Sequence, residues 1–582
     1  MKKILLLWSA LIISCTIANA QQEESSAVMR FSGVTDIEEL DAQEMERLSN
    51  YLQHPFKLNG AGRTRLLSSG LFTPYQVATL LDYIRTSGDI LSIMELSSID
   101  GFGKENATAL APFISFESFS LPGAIPDSII ILNTSLIARG SIRGIEGKRG
   151  VENKYGFKCT SSYDDRIILN MGGSKSYDDK DNHPSLYTGS LSYYGRKNKL
   201  ILGDFNARFG QGLALWSGFS LSTNVEPTSF YRKASGLSPI NSFTGTGSKQ
   251  GVAADFTMGR AIVSVFASAD NLKEMMKGKR HTDISISPGM NVSFLGKKSQ
   301  IGLSGQVNEN GKGGIAAADA SINIRGVDCF TEAAYDIGRK RHMVLLGTII
   351  PITDNKKSAL LLRYIEKQMH VATFSFSYTG GTRISLKGKA GFGSSVPKNS
   401  CTLSMDAEYL PTKKKENARQ LPIQYKAFAR YDIQISSSLA IGIRLTERCR
   451  TYDKLKYRTD ARADIKYMNG NWIASLRGNL LNCRSLGALA YLETGYKSET
   501  FSAYIRGIAF RIDNWDDRVY VYERDAPGSF NVPAYYGNGT AFSAVAGLKP
   551  RWKGLRMKYY LRASIQNKPG KAELKLQCML DF

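Results

Sequence analysis

The chain has 582 residues, with 75 Lys and Arg against 52 Asp and Glu for a formal charge of +23; 28 Tyr and 54 Gly are also notable. Mean hydropathy is −0.22 and no apolar run of about 18 residues follows the N-terminus, which excludes a bundle of membrane helices. A transmembrane β-barrel remains allowed, because only every second residue of its strands faces lipid.

In chain order, Lys2 and Lys3 precede the apolar run Ile4–Ile13, followed by Ala18, Asn19 and Ala20. A positive start, a short apolar stretch and an Ala-x-Ala site read as an export signal over residues 1–20, with the mature chain beginning at Gln21. Ile12, Ile13, Ser14 and Cys15 also resemble a lipobox, which would place a lipid on Cys15.

Residues 21–117 read as a small all-α domain. Ile37, Leu40, Met45 and Leu48 recur at helical spacing among acids. Further on, Leu96, Ile99, Gly101, Phe102, Gly103, Ala107 and Leu110 form a pattern in which glycines turn the backbone tightly and Ala107 lets two helices approach. About 30 residues earlier, Leu66, Val77 and Leu80 repeat the apolar positions, but Thr73, Pro74 and Gln76 supply a capping box instead of glycines. The stretch Asn59–Phe116 resembles the tandem helix-hairpin-helix domain of competence-type DNA receptors, in a variant associated with envelope proteins of the Bacteroidetes type. That resemblance implies a phosphate or partner contact at Gly101, Phe102, Gly103 and Lys104 with Arg63 and Arg65. Charge argues the other way: residues 21–120 carry 7 basic against 14 acidic side chains, about −7, and duplex affinity comes mainly from Lys and Arg at phosphates. The expected role is protein docking in the periplasm, with nucleic acid the less favoured partner.

Leu121, Pro122, Gly123 and Pro126 mark a linker over 118–127. Beyond it, residues 128–582 read as mainly β, a large antiparallel barrel of about 24–26 strands with period-two alternation. Leu439, Ile441, Ile443 and Leu445 alternate with Ala440, Gly442 and Arg444; Ala461, Ala463 and Ile465 oppose Arg462, Asp464 and Lys466. The last strand sets Leu574, Leu576, Cys578, Leu580 and Phe582 on one face and Glu573, Lys575, Gln577, Met579 and Asp581 on the other. Its terminal aromatic resembles the closing strand of bacterial outer-membrane barrels. The expected location is therefore the outer membrane, in contact with lipid and lipopolysaccharide.

Two stretches interrupt the strand rhythm. Gln211–Lys249 is the candidate plug or long loop, entered through Arg208, Gly210, Gln211 and Gly212, whose Arg-Phe-Gly-Gln-Gly-Leu string resembles a signature of the same envelope family. Tyr522–Gly528 is a second long loop.

Removing the two N-terminal lysines and the −7 of the helical domain from +23 leaves +28 on residues 121–582. Charge facing lipid costs roughly 2–4 kcal/mol per Lys or Arg at the midplane, so Arg383, Lys387, Lys389, Arg556, Lys558, Arg562 and Lys575 are expected in the lumen or at its rims. A basic lumen concentrates anions.

Cys15, Cys159, Cys329, Cys401, Cys449, Cys483 and Cys578 form no CxxC pair, and His54, His183, His281, His342 and His370 stand apart. No metal, cofactor or enzymatic motif is expected. The functional expectation is a non-enzymatic conduit or assembly component with a docking domain; the alternatives are a DNA-uptake protein and an anion-favouring porin.

Overall fold

A computed structural model describes residues 24–582, apart from 119–131, 180–182, 219–224, 244–246, 270–284, 309–312, 354, 367–370, 388–392, 414–420 and 553–554. The expected export signal with Cys15, most of the expected linker, and Lys389 lie outside the described residues, as do the side chains of Arg383 and Lys387.

Among the described residues, 24 long antiparallel strands close into one barrel, from Leu132–Ile145 to Gly570–Asp581. The strand count meets the lower end of the expected range. First and last strands pair along their length, Ser135 opposite Asp581 and Ile145 opposite Lys571, and the Phe582 N–H donates to Thr134 O at 2.9 Å. The terminal strand is the closing seam.

Alternation decides which face each residue takes. Leu574, Leu576, Leu561, Ile565, Ile443 and Leu445 are exposed on the outside, whereas Gln577, Arg562, Arg462 and Asp464 are buried on the inside. Exposed Tyr163, Tyr187, Tyr364, Tyr409, Tyr457 and Trp472 sit at or next to strand ends, as in an aromatic girdle. An outer face this apolar suits lipid and not water. Leu576, 54% exposed near the middle of the last strand, provides a test: Leu576→Arg is expected to cost roughly 2–4 kcal/mol in refolding into lipid vesicles. A cost below about 0.5 kcal/mol would contradict a lipid-facing position, since that is the size of an ordinary surface substitution.

Connections on the side holding Leu132 and Asp581 are short, as at 164–166, 195–197, 259–260 and 470–471, while the opposite side carries the long 209–248 and 513–536. A ring of this many strands, spaced about 4.8 Å and tilted about 40°, is roughly 45 Å across. Side chains cannot fill such a bore.

Six α-helices among the described residues form the N-terminal unit: α1 Glu24–Ser32, α2 Ala42–Gln53, α3 Arg63–Ser68, α4 Pro74–Ser87, α5 Ile93–Ser98 and α6 Gly103–Leu110. Their starts follow capping chemistry. The Asp41 carboxylate accepts from the Gln43 amide, Ser92 Oγ from the Glu95 amide, and Thr73 with Gln76 forms the expected capping box with Pro74 in the first turn. Leu48, Leu66, Phe72, Leu80, Leu96, Phe102 and Phe113 make one buried core. A parallel bridge of Phe56–Lys57 with Ile114–Ser115 joins the ends of the α3–α6 segment, and Asn59 ties it further by donating to Ile90 O and Glu117 O.

This unit, expected as a periplasmic docking domain, lies against the inner face of the barrel wall. Its acids and helix ends contact inward-facing wall residues from mid-strand to the short-turn rim. The reason is electrostatic: an acidic unit beside a basic, empty bore lowers its energy by entering it.

Candidate functional site

The centre of the interface is Asp36, 1% exposed, at the start of the short 3-10 turn Ile37–Glu39. Its carboxylate accepts from Arg462 at 2.7 Å, from Arg430 at 3.1 Å and from Arg444. These arginines stand directly opposite one another on three consecutive strands, Arg430 facing Arg444 and Arg444 facing Arg462. Like charges in that register repel, so the row needs acids on its inner side. The wall supplies Asp432, Asp460 and Asp464 at 2.6–2.8 Å, and the helical unit adds Asp36 and Glu38. Glu38 accepts from Arg477 at 2.7 Å and from the Tyr522 amide at 3.1 Å, joining the N-terminal unit to the second long loop.

Burial alone would raise the Asp36 carboxyl, but Arg462, Arg444 and Arg430 outweigh it and hold the group well below the usual carboxylate range. For Glu39 the attraction of Lys426 and Arg444 is too weak to offset burial and the Asp36 charge, which push it up to about 7.

A second contact lies across the lumen. Lys158 Nζ donates to Glu46 of α2 at 2.8 Å, with Ser242 Oγ on the other carboxylate oxygen at 2.9 Å; both charged side chains are buried. At the short-turn rim Arg65 pairs with Asp165 at 3.2 Å, Glu105 with Lys357 at 2.7 Å, and Arg63 donates to Gly259 O at 2.6 Å.

The long loops fold inward to meet the unit. Glu523 binds Arg562, and Asp525 binds Lys575. Phe530 and Tyr522 pack on the helical core itself. In the other loop, Val225 O accepts from Ser377 Oγ and the Tyr231 ring lies edge-on to Phe330 at 5.2 Å. The stretch expected as a plug or long loop thus touches the inner wall through Val225 and Tyr231.

Of the expected basic lumen residues, Arg562, Lys575 and Lys558 point inward onto acids, Lys558 to Asp581 at 3.1 Å, while Arg556 is exposed. Arg208 ends the strand Asn198–Arg208 and donates to Ser217 O at 2.9 Å. Gly210 and Gly212 adopt φ of +62° and +89°, and Glu332 from the facing wall accepts from the amides of Gln211, Leu213 and Ala214 at 2.6–3.1 Å. That is a tight anion-clasped turn.

The six hairpin residues are not brought together as a phosphate grip. Phe102 is 2% exposed and belongs to the core, and a side chain on Gly101 would meet Tyr75 at 2.7 Å. Arg63 and Arg65 are held by the barrel rim, while Gly103 and Lys104 are exposed to the cavity between the unit and the wall. Among the described residues no group of three His, Cys, Asp or Glu is placed to hold a metal.

Asp36, Glu38 and Glu46 were not singled out by motif or spacing. The signal that points to them is the opposition of −7 on residues 21–120 and +28 on the remainder.

A cavity of about 1440 Å³ remains between α2, the turn before α6, the segment 226–242 and the wall.

No protein-family model matches the chain, and no curated protein matches it. Among solved structures it is similar to the P pilus usher (PapC) translocation pore, at 8% identity and a TM-score of 0.38 over 77% of this chain and 99% of that one. It is also similar to Pseudomonas aeruginosa OpdQ, at 6% identity and a TM-score of 0.28, covering 78% and 98% of the two chains. Acinetobacter baumannii OccAB4 gives 8% identity and a TM-score of 0.26, covering 79% and 99%. Likenesses of this order assign no ligand, partner or activity to this chain.

Proposed function

We propose that this chain is a non-enzymatic outer-membrane conduit held shut by its own N-terminal helical unit, which enters the lumen from the periplasmic side. The observation that carries this reading is Asp36, a helical-unit carboxylate shared by three wall arginines. In bacterial barrels short turns face the periplasm and long loops the exterior, and here the helical unit meets the short-turn rim. The outer face then contacts lipid, with lipopolysaccharide on the long-loop side.

The unit resembling a helix-hairpin-helix domain keeps Leu91 and Met94 exposed away from the cavity, so that surface is where a periplasmic or outer-membrane protein partner docks to loosen the closure. DNA uptake is less favoured, because Arg63 and Arg65 are already engaged with the rim. A permanently open anion porin fits poorly with a filled lumen. Fractionation with a heat-modifiable gel shift tests the location: the chain is expected in the outer-membrane fraction, running faster unheated than boiled. Recovery as a soluble periplasmic protein would sink the reading.

A further inference from the structure

The remaining cavity contains positive charge that the closure does not use. Arg208 and Arg232 approach the Trp216 ring, their guanidinium carbons 5.6 and 5.5 Å from its centroid. Lys233 follows in sequence, with Nζ 3.7 Å from the Phe31 ring centroid. All line the same cavity. Among the described residues, none of the three cations has a carboxylate within ion-pair distance.

The acids nearby compensate them only in part: Glu44 attracts Arg208 and Lys233 and Glu332 attracts Arg232, each from beyond ion-pair distance, and burial still lowers all three cations. Glu44 is taken by Arg47, which donates from two guanidinium nitrogens at 2.6 and 3.0 Å. Asp41 caps α2, and Glu105 pairs with Lys357. Burial, with Glu105 nearby, pushes Glu226 up to about 7, so it is largely neutral in mildly acid medium. Burial, helped by Arg47, pulls Lys233 down to about 7, the behaviour of a cation short of a counter-charge. Arginine cannot shed its proton in this way, so a guanidinium in an enclosed space with only distant carboxylates calls for an anion.

The rest of the lining indicates what the anion is attached to. Asn170, Asn206, Asn241, Ser238, Thr228 and Tyr75 offer amides and hydroxyls. Asn170 and Asn206 each hold a buried side-chain oxygen with no hydrogen-bond partner, ready to accept from a hydroxyl. Planar guanidinium groups match carboxylate and phosphate geometry, and hydroxyl-rich ligands match amide and hydroxyl walls. From these features we infer that the cavity binds an anionic oligosaccharide, its acid groups held by Arg208, Arg232 and Lys233. A volume of about 1440 Å³ exceeds the roughly 300–1,000 Å³ of a drug-sized site, which suits several sugar units.

Calorimetric titration of the full chain in detergent tests this with three probes: trigalacturonate, a maltotriose phosphate and neutral maltotriose. At least one acidic probe is expected to bind ten-fold or more tighter than maltotriose, and the preferred acid identifies carboxylate or phosphate as the recognised group. Arg232→Gln and Lys233→Gln are each expected to weaken that binding ten-fold or more while the heat-modifiable gel shift stays unchanged. If a variant loses the gel shift, Arg208→Lys, which keeps the charge but not the fork, takes its place and is expected to show the same loss. Equal affinity for neutral and acidic probes, no binding of either acid, or unaltered binding by the folded variants would overturn the inference. Because binding is read without a bilayer, the result is independent of whether the conduit is closed.

Discussion

Glu46→Leu is expected to undock the helical unit by on the order of 3–5 kcal/mol, because it strands Lys158 in a buried position. The Lys158 ammonium has the Glu46 carboxylate at 2.8 Å, and its other close partner is the Phe243 ring at 5.2 Å, a weak substitute for a carboxylate. Lys158→Met is expected to cost less, since Glu46 would keep the Ser242 hydroxyl at 2.9 Å and the more distant Phe243 amide at 3.4 Å. The double variant, with both charges replaced by apolar groups of similar size, is expected near the parent, as buried pairs often are. Cleavage within α2 by a protease in limiting amount follows the undocked population. It should rise about 10²–10⁴-fold for Glu46→Leu and fall back in the double variant. A double variant as labile as Glu46→Leu would mean that the contact is not a charge pair.

Asp36→Asn is expected to cost about 3 kcal/mol, toward the lower end of that range, despite engaging three arginines. The reason is redundancy: Arg430, Arg444 and Arg462 each keep a wall aspartate after Asp36 is gone. The pH dependence carries a definite sign. The Asp36 carboxyl is lower in the folded state than its ordinary value of 3.8. Its contribution is therefore complete above that value and is lost as pH falls below it through the folded value. Protease sensitivity of the parent should rise on acidification below about pH 4, whereas Asp36→Asn should show a flatter response over that window. Identical acid profiles for the two would remove Asp36 from the closure.

Much of the architecture was legible because a barrel wall reports itself locally. Leu574, Leu576 and Leu561 point outward and Lys575, Gln577 and Arg562 inward because side chains alternate along a strand, and the alternation needs no knowledge of the other strands. The helix starts at Thr73 and Pro74 were equally local. What was not legible is which surface meets which. Asp36 and Arg462 are separated by more than 400 positions, and neither has a local signature that names the other. Only the summed charges of the two regions carry that information, and a sum gives attraction without register. The glycine turn at Gly101–Gly103 shows the opposite error: its pattern is a true turn, with φ of +86° and +62°, but the arginines expected beside it serve the rim instead.

Closure of the barrel by the helical unit is read out by single-channel recording in a planar bilayer. The intact chain is expected to show long closed periods with little steady current. Glu46→Leu should open more often, and deletion of residues 24–117 should give a large, sustained conductance appropriate to a ring roughly 45 Å across. A large steady conductance from the intact chain, unchanged by the deletion, would contradict the account.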